Sequence, residues 1–177
     1  MKTYPKLLLG IVAGLAAISA VLAADPAPKK DSRIEVVFTQ PEKFTDVRDS
    51  YTGSEMGRKA ILDQIRDYLV REAKHYVPEG QKLTIDFTDI DLAGDFEPWR
   101  GSQGMDIRIV KDIYPPKMDF DFKLTAADGT VIKEGKRQLR DLMFMSKLSI
   151  NRTDPLRYEK AMLDDWMRGD FPRAKSG

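Results

Sequence analysis

The sequence predicts an α+β fold in a single domain, with a four- to five-stranded, mostly antiparallel sheet and two helices packed on one face. Apolar residues alternate with polar residues in five short segments, which is typical of strands with one buried face. In two longer segments they recur every three or four residues, which is typical of amphipathic helices. The order β-α-β-β-β-β-α permits one parallel pair across the first helix and an antiparallel meander after it.

The first strand and the first helix have clear boundaries in the sequence. A β-rich run over residues 33–39 predicts the strand, and Pro41 follows it. Thr52 and Glu55 match the T-x-x-E pattern that caps a helix N-terminus, and Pro78 marks the end of this helix. The apolar stripe of the helix consists of Ile61, Ile65, Tyr68, Leu69 and Tyr76.

Period-two alternation predicts the remaining strands at residues 83–88, 105–110, 118–124 and 131–139. In the strand at 105–110, Ile107 and Ile109 are expected to face the core. Asp128 and Gly129 favour a tight hairpin turn between the last two strands, because this dipeptide readily adopts positive φ angles.

The last helix is predicted to begin with Asp154 as the N-cap and Pro155 at the first helical position. Gly169 is expected to end it. The residues predicted to face inward are Tyr158, Met162, Leu163 and Trp166.

For the strand that begins near residue 83, the sequence leaves open which face of the sheet its last side chains occupy. If it continued straight, the carboxylates of Asp89 and Asp91 would point into the core. A β-bulge or a strand end near Thr88 would turn them outward instead. If they are buried, they need cationic partners, and Arg100 and Arg108 are the nearest in sequence.

Composition and charge exclude several classes of function. The formal net charge is +1, and without Lys2 and Lys6 the chain carries 27 basic and 28 acidic residues. We therefore expect no nucleic-acid partner and no electrostatic attachment to anionic lipid. The chain has no cysteine, which excludes thiol nucleophiles, zinc–thiolate sites and iron–sulfur clusters. No cofactor is expected.

The N-terminus has the order of a secretory signal: two lysines, an apolar stretch and small residues before Ala23. We predict a signal peptide at residues 1–23, a flexible lead-in at 24–32 and a single domain at 33–177. This predicts a periplasmic protein of a Gram-negative bacterium, with no stable membrane insertion after cleavage. The alternative is an uncleaved signal whose residues 7–24 anchor the chain in the inner membrane.

The most unusual segment, at residues 88–101, combines four carboxylates with two aromatic residues and two glycines. It does not match an EF-hand, because Ala93 and Arg100 occupy two of the required ligand positions. We assign no metal ligand and no catalytic residue, although an irregular divalent site stays open. The alternatives are a carboxylate pair of a glycan hydrolase and a turn whose acids form salt bridges. The candidate site residues are Asp89, Asp91, Asp95, Glu97 and Arg100.

A second candidate is an interaction patch for a partner protein, since methionine-rich surfaces adapt to different partners. The alternative for these residues is ordinary core packing. His75, the only histidine, is expected at the surface, which argues against a Ser-His-Asp triad. The candidate patch residues are Trp99, Met143, Phe144 and Met145.

Several separated motifs resemble those of a known family. After the signal segment they are Val37-Phe38, Phe44-Thr45-Asp46, Asp91-Leu92-Ala93-Gly94, Leu139-Arg140-Asp141-Leu142, Leu156-Arg157-Tyr158-Glu159-Lys160 and Asp165-Trp166. In this order they resemble the exported proteobacterial proteins catalogued as domain of unknown function 3016. The resemblance covers the whole predicted domain and implies a secreted bacterial protein, but it implies no activity.

Two functions follow from these observations. The favoured one is a non-enzymatic binding or assembly accessory whose partner is an envelope protein or the cell wall, and it predicts exposed apolar residues near Trp99 or Met143. The other is a carboxylate-dependent hydrolase, with or without a divalent ion, acting on a cell-wall glycan. It predicts that at least two of the acids at 89, 91, 95 and 97 converge in a cleft.

Overall fold

A computed structural model describes residues 33–101, 104–147 and 152–173. The predicted signal peptide and lead-in lie outside the described residues. Within these ranges no helix is both long enough and apolar enough to cross a membrane. The helices and strands are β1 (Ile34–Phe38), α1 (Glu55–Glu72), β2 (Lys82–Asp91), β3 (Asp95–Phe96), β4 (Arg108–Ile109), β5 (Lys117–Thr125), β6 (Val131–Arg140) and α2 (Arg157–Asp170).

The main sheet has four strands in the order β1-β2-β5-β6, and β3 and β4 form a separate two-stranded sheet. β1 runs parallel to β2, with Ile34 beside Leu83, and the other pairs are antiparallel. The connection through α1 allows the parallel pair, and Gly129 turns the hairpin between β5 and β6 with a φ of 85°. The predicted α+β class, with a mostly antiparallel sheet, is confirmed.

The hydrophobic core lies between one face of the sheet and the two helices. Alternate residues of β1, β2 and β5 are buried, as are Ile65 and Leu69 of α1. Trp166 of α2 packs edge-on against Phe120 and Phe122 of β5, with ring centroids 4.7 and 5.6 Å apart. The helices therefore cover a single face of the sheet, as predicted.

A β-bulge in β2 decides which face of the sheet Asp89 and Asp91 occupy. The register with β5 shifts between Phe87 and Asp89, so that Phe87 and Ile90 both point into the core. Asp89 and Asp91 consequently lie outside the core. The bulge near Thr88 was one of the two arrangements expected from the sequence.

The predicted strand at residues 105–110 is wrong for most of its length. Only Arg108 and Ile109 form a strand, and they pair with the short β3 rather than with the main sheet. Ile107 is 56% exposed instead of buried. Residues 104–107, which precede this short strand, form turns and a bend.

The predicted helix boundaries also shift by a few residues. Ser54, not Thr52, caps α1: its hydroxyl accepts a hydrogen bond from the Gly57 N–H. The last helix begins at Arg157, and Gly169 lies inside it rather than ending it. Asp154 still stabilises the first turn, because its carboxylate accepts a hydrogen bond from the Leu156 N–H at 2.9 Å.

The edge strand β6 places two basic side chains toward α2. Arg137 donates two hydrogen bonds to the Asp170 carboxylate, at 2.8 and 2.9 Å, and Lys133 binds the same residue. The Arg137 guanidinium also lies over the Phe122 ring. Inward-pointing charges on an edge strand protect it from pairing with another chain, and here they also attach the end of α2.

Candidate functional site

The acidic segment lies at the end of the sheet where β2 and β6 finish and β5 begins. Asp91, Lys117 and Arg140 are neighbours in register across these three strands. We call this the β2 end of the sheet. Asp89 and Asp91 are at the end of β2 itself, and the segments that leave this end carry the other candidate residues.

The first two acids hold neighbouring segments in place. Asp91 forms an ion pair with Lys117 at 2.6 Å. The Asp89 carboxylate accepts hydrogen bonds from the backbone N–H and the hydroxyl of Thr45, at 2.6 and 2.7 Å. Both carboxylates therefore have structural partners, and neither uses Arg100 or Arg108.

Glu97 is completely buried, and its carboxylate is held by two cations. It accepts hydrogen bonds from Lys111 and Arg100, and the Tyr114 hydroxyl lies 3.3 Å away. The hydrogen bond from Lys111, followed by that from Arg100, lowers the pKa of Glu97 to about 2. Arg100 is thus a partner of an acid of its own segment, and Glu97 stays ionised at neutral pH.

The central group at this end is Asp46, which the sequence reasoning did not select. Arg108 binds both of its carboxylate oxygens, at 2.9 and 3.1 Å, and Arg48 binds one at 2.8 Å. Burial acts to raise the pKa of Asp46, but the hydrogen bonds from the two guanidinium groups outweigh it and leave the pKa lowered. The Arg108 guanidinium lies over the Phe96 ring, 4.6 Å from its centroid.

The backbone of the Asp91–Gly94 motif is fixed by this network. The Leu92 N–H donates to the carbonyl of Asp46, and Arg108 donates to the carbonyl of Gly94. Gly94 has a φ of 82°, and a Cβ atom there would lie 2.7 Å from the Ile109 carbonyl oxygen. Only glycine fits this close approach, which gives the motif a structural reason.

Two of the four predicted acids converge in one cleft. Asp91 and Asp95 line a polar cleft of about 250 Å³ together with Asp46. Each acid has a cationic partner, because Asp95 accepts a hydrogen bond from Arg48 at 3.2 Å. The cleft also contains Arg140 and Tyr114. Its three acids, Asp46, Asp91 and Asp95, each form an ion pair with an arginine or lysine side chain.

Two carboxyl groups on α2 have a raised pKa. Burial raises the pKa of Glu159 and that of Asp164. Glu159 was missed as a candidate, although it lies at helical spacing from Met162, Leu163 and Trp166 on the buried stripe. The sequence could have indicated this residue, because an acid on the apolar face of a helix is unusual.

The predicted interaction patch is largely exposed. Trp99 is 72% exposed, and Met143 and Met145 are 67% and 51% exposed. Phe144 differs: it is buried and packs edge-on against Tyr158, with ring centroids 4.8 Å apart. Its side chain anchors the turn that carries the two methionines.

Metal binding has no support in the described parts of the chain, where no group of three or more His, Asp or Glu side chains is arranged around a common point. A cleft of about 760 Å³ lies beside the N-terminal half of α1, and none of the candidate residues lines it. His75 is exposed, in agreement with the expectation from the sequence.

Comparison with known proteins gives one match. No curated protein and no solved structure matches the chain. The family model described as "Protein of unknown function (DUF3016)" matches residues 32–169, which is well over half of the chain. The chain therefore belongs to the DUF3016 family, as the sequence motifs indicated.

Proposed function

We propose that this protein is an exported, non-enzymatic accessory that binds a protein of the bacterial envelope through the β2 end of its sheet. The observation that carries the proposal is a set of exposed apolar side chains on the loops that leave this end. Large exposed apolar side chains concentrated in one region are typical of interaction sites. They are Trp99, Ile107, Ile113, Leu142, Met143 and Met145.

The turn that carries the methionines is held firmly against the domain. Phe144 inserts into the space beside Tyr158, and Lys147 bridges Asp141 and Asp165 at 2.6 and 2.5 Å. Because Asp165 lies on α2, the turn is attached to the helix. Side chains on a fixed turn lose less conformational entropy on binding, which favours a specific partner.

The proposed location rests on the sequence. The predicted signal peptide at residues 1–23 would place the domain in the periplasm, and the alternative of an uncleaved signal would attach the same domain to the inner membrane. Both place the β2 end among envelope proteins. Cell fractionation with antibody detection, and the N-terminal sequence of the purified protein, distinguish them.

The experiment that tests this function is crosslinking in intact cells followed by mass spectrometry. We expect a reproducible protein partner that is lost in Met143→Asp, since a charge at this exposed position opposes apolar contact without disturbing the core. Met56→Asp is the matched control, because Met56 is 82% exposed but lies at the start of α1. Equal capture by the wild type and Met143→Asp would contradict the proposal.

The alternative function, a carboxylate-dependent hydrolase of a cell-wall glycan, has one observation in its favour: Asp91 and Asp95 share a cleft. Such catalysis needs one carboxyl that is protonated near neutral pH. The acids of this cleft are instead paired with Lys117 and Arg48. Release of soluble sugars from purified peptidoglycan, abolished by Asp91→Asn, would favour the hydrolase over the accessory.

A further inference from the structure

A second cavity, of about 260 Å³, lies between α1, the start of α2 and the turn that follows β2. It is separate from the cleft of paired charges and shares only Arg48 and Leu92 with it. Its apolar walls are formed mainly by Ile61, Leu92, Phe96 and Leu156.

The cavity contains a buried carboxyl group with one oxygen unpaired. Glu159 is 1% exposed, and its Oε1 accepts a hydrogen bond from the Ala93 N–H at 2.7 Å. Its Oε2 is buried and has no hydrogen-bond partner among the described residues. A buried polar atom without a hydrogen bond lowers the stability of the fold, so its presence suggests a function.

The two arginines that line the cavity already donate hydrogen bonds within the protein. Arg48 donates from all three of its nitrogens, to Asp46, to Asp95 and to a backbone carbonyl. Arg108 donates from both terminal nitrogens to Asp46 and to two backbone carbonyls. The charges of Asp46 and Asp95 balance those of the two arginines, which leaves little to attract an anion.

The acceptors, in contrast, are in excess. Asp49 and Asp106 line the same cavity as Glu159. Asp49 accepts hydrogen bonds from the N–H and the hydroxyl of Ser54, at 3.0 and 2.9 Å, and Asp106 accepts one from the Tyr51 N–H at 3.1 Å, so these donors are uncharged. The cations whose charge acts on Glu159 are Arg108 and Arg157. Arg157 donates to a backbone carbonyl and to the Tyr158 hydroxyl. The cavity therefore suits a ligand that brings hydrogen-bond donors and positive charge.

We propose that this cavity binds a primary ammonium group on a short apolar chain, with Glu159 Oε2 as its principal acceptor. The apolar walls would contact the chain, and the cavity volume is below the range typical of sites for drug-sized ligands. The group would belong either to a small amine or to a lysine side chain of a protein. This site goes beyond the protein-binding role of the β2 end and does not depend on it.

Binding is coupled to the ionisation of Glu159. Burial raises the pKa of this carboxyl, and a bound ammonium group stabilises its charged form. Affinity should therefore increase as the pH rises through the pKa of Glu159. Glu159→Gln keeps the size of the side chain and removes this dependence.

The test is a titration of the purified protein with n-butylammonium chloride, followed by the NMR shift of the Ala93 amide, which contacts Glu159 directly. We expect saturable shifts that n-butanol does not produce at equal concentration. Glu159→Gln should weaken binding at least about tenfold, as expected for loss of a charge-assisted hydrogen bond. Asp164→Asn is the matched control on the same helix and should change affinity less than about twofold.

A second variant tests the same site independently, in case Glu159→Gln does not fold. Ile61→Phe narrows the cavity from α1 without touching Glu159, and it should also weaken binding. A lysine tripeptide with blocked termini separates the two sources: tighter binding than n-butylammonium indicates a protein lysine, and weaker binding indicates a small amine. Equal shifts with n-butanol, unaltered affinity in Glu159→Gln, or no saturation would overturn the proposal.

Discussion

Replacement of Asp46 by Asn should strongly destabilise the protein, because it leaves two arginine side chains beside a neutral group. The Asp46 side chain is 6% exposed, whereas those of Arg108 and Arg48 are 20% and 33% exposed. Removal of one partner from a buried ion pair costs about 3 to 5 kcal/mol. Since water reaches the guanidinium groups in part, we expect the lower end, about 3 kcal/mol.

The assay is urea unfolding followed by the fluorescence of Trp166, which lies in the core. The free energy of unfolding of a domain this size falls by about 1.5 to 2 kcal/mol per molar urea. A loss of about 3 kcal/mol in this free energy should therefore lower the urea midpoint by about 1.5 to 2 M. Asp63→Asn is the control: Asp63 pairs with Lys59 and Arg66 on the solvent-exposed side of α1, where ion pairs contribute little.

The double variant Asp46→Asn/Arg108→Met tests the mechanism, because the two losses should not add when the residues stabilise each other. The pH dependence gives a further check. The pKa of Asp46 is lower in the folded protein than its ordinary value of 3.8, so its stabilising effect exists above that value and is lost as the pH falls. The difference in free energy of unfolding between the wild type and Asp46→Asn should therefore become smaller below about pH 4. Additive losses, or a single-variant loss below about 1 kcal/mol, would refute this reasoning.

Three further predictions concern positions outside the Asp46 network or at its border. Gly94→Ala should destabilise by about 1 to 3 kcal/mol because of the positive φ and the nearby Ile109 carbonyl, as measured by urea unfolding. Gly169→Ala should instead stabilise by about 0.5 to 1 kcal/mol, since Gly169 lies within α2 and its added methyl group meets nothing; a lower melting temperature would contradict this. The raised pKa of Glu159 means that the folded state binds more protons than the unfolded state above about pH 4.5, so stability should fall as the pH rises through the raised pKa. Unfolding at a series of pH values should show a smaller fall in Glu159→Gln.

Local patterns in the sequence predicted the fold well because they depend on neighbouring residues. The alternation in β5 and the stripe of α2 were sufficient to place both elements. The bulge at Thr88 was one of the alternatives that the sequence left open, because a straight strand would have buried Asp89 and Asp91. The segment at 105–110 was misassigned because two apolar residues in alternation resemble a strand even where the partner strand is only two residues long.

The site was harder to predict because its contacts join distant parts of the chain. Asp46 and Arg108 are 62 residues apart, and Glu159 lies 66 residues from Ala93. Asp46 belongs to a motif of the family, but nothing local in the sequence predicts that its carboxylate is buried between two arginines. The acidic segment was selected for its unusual composition, and its acids accept hydrogen bonds from, or form ion pairs with, Thr45, Lys117, Arg48, Arg100 and Lys111.

The Asp46 network explains how a cysteine-free domain can fix the loops that carry its exposed apolar residues. Disulfides often have this role in exported proteins, the class that we propose for this chain, but its sequence contains no cysteine. Instead, Asp46 joins the loop after β1 to β4 through Arg108, and Glu97 joins the loop after β3 to Lys111. These ion pairs connect residues that are 62 and 14 positions apart in the sequence, so that each joins separate segments, as a covalent bridge would. They leave the apolar side chains on the outer side of the same loops, where a partner can reach them.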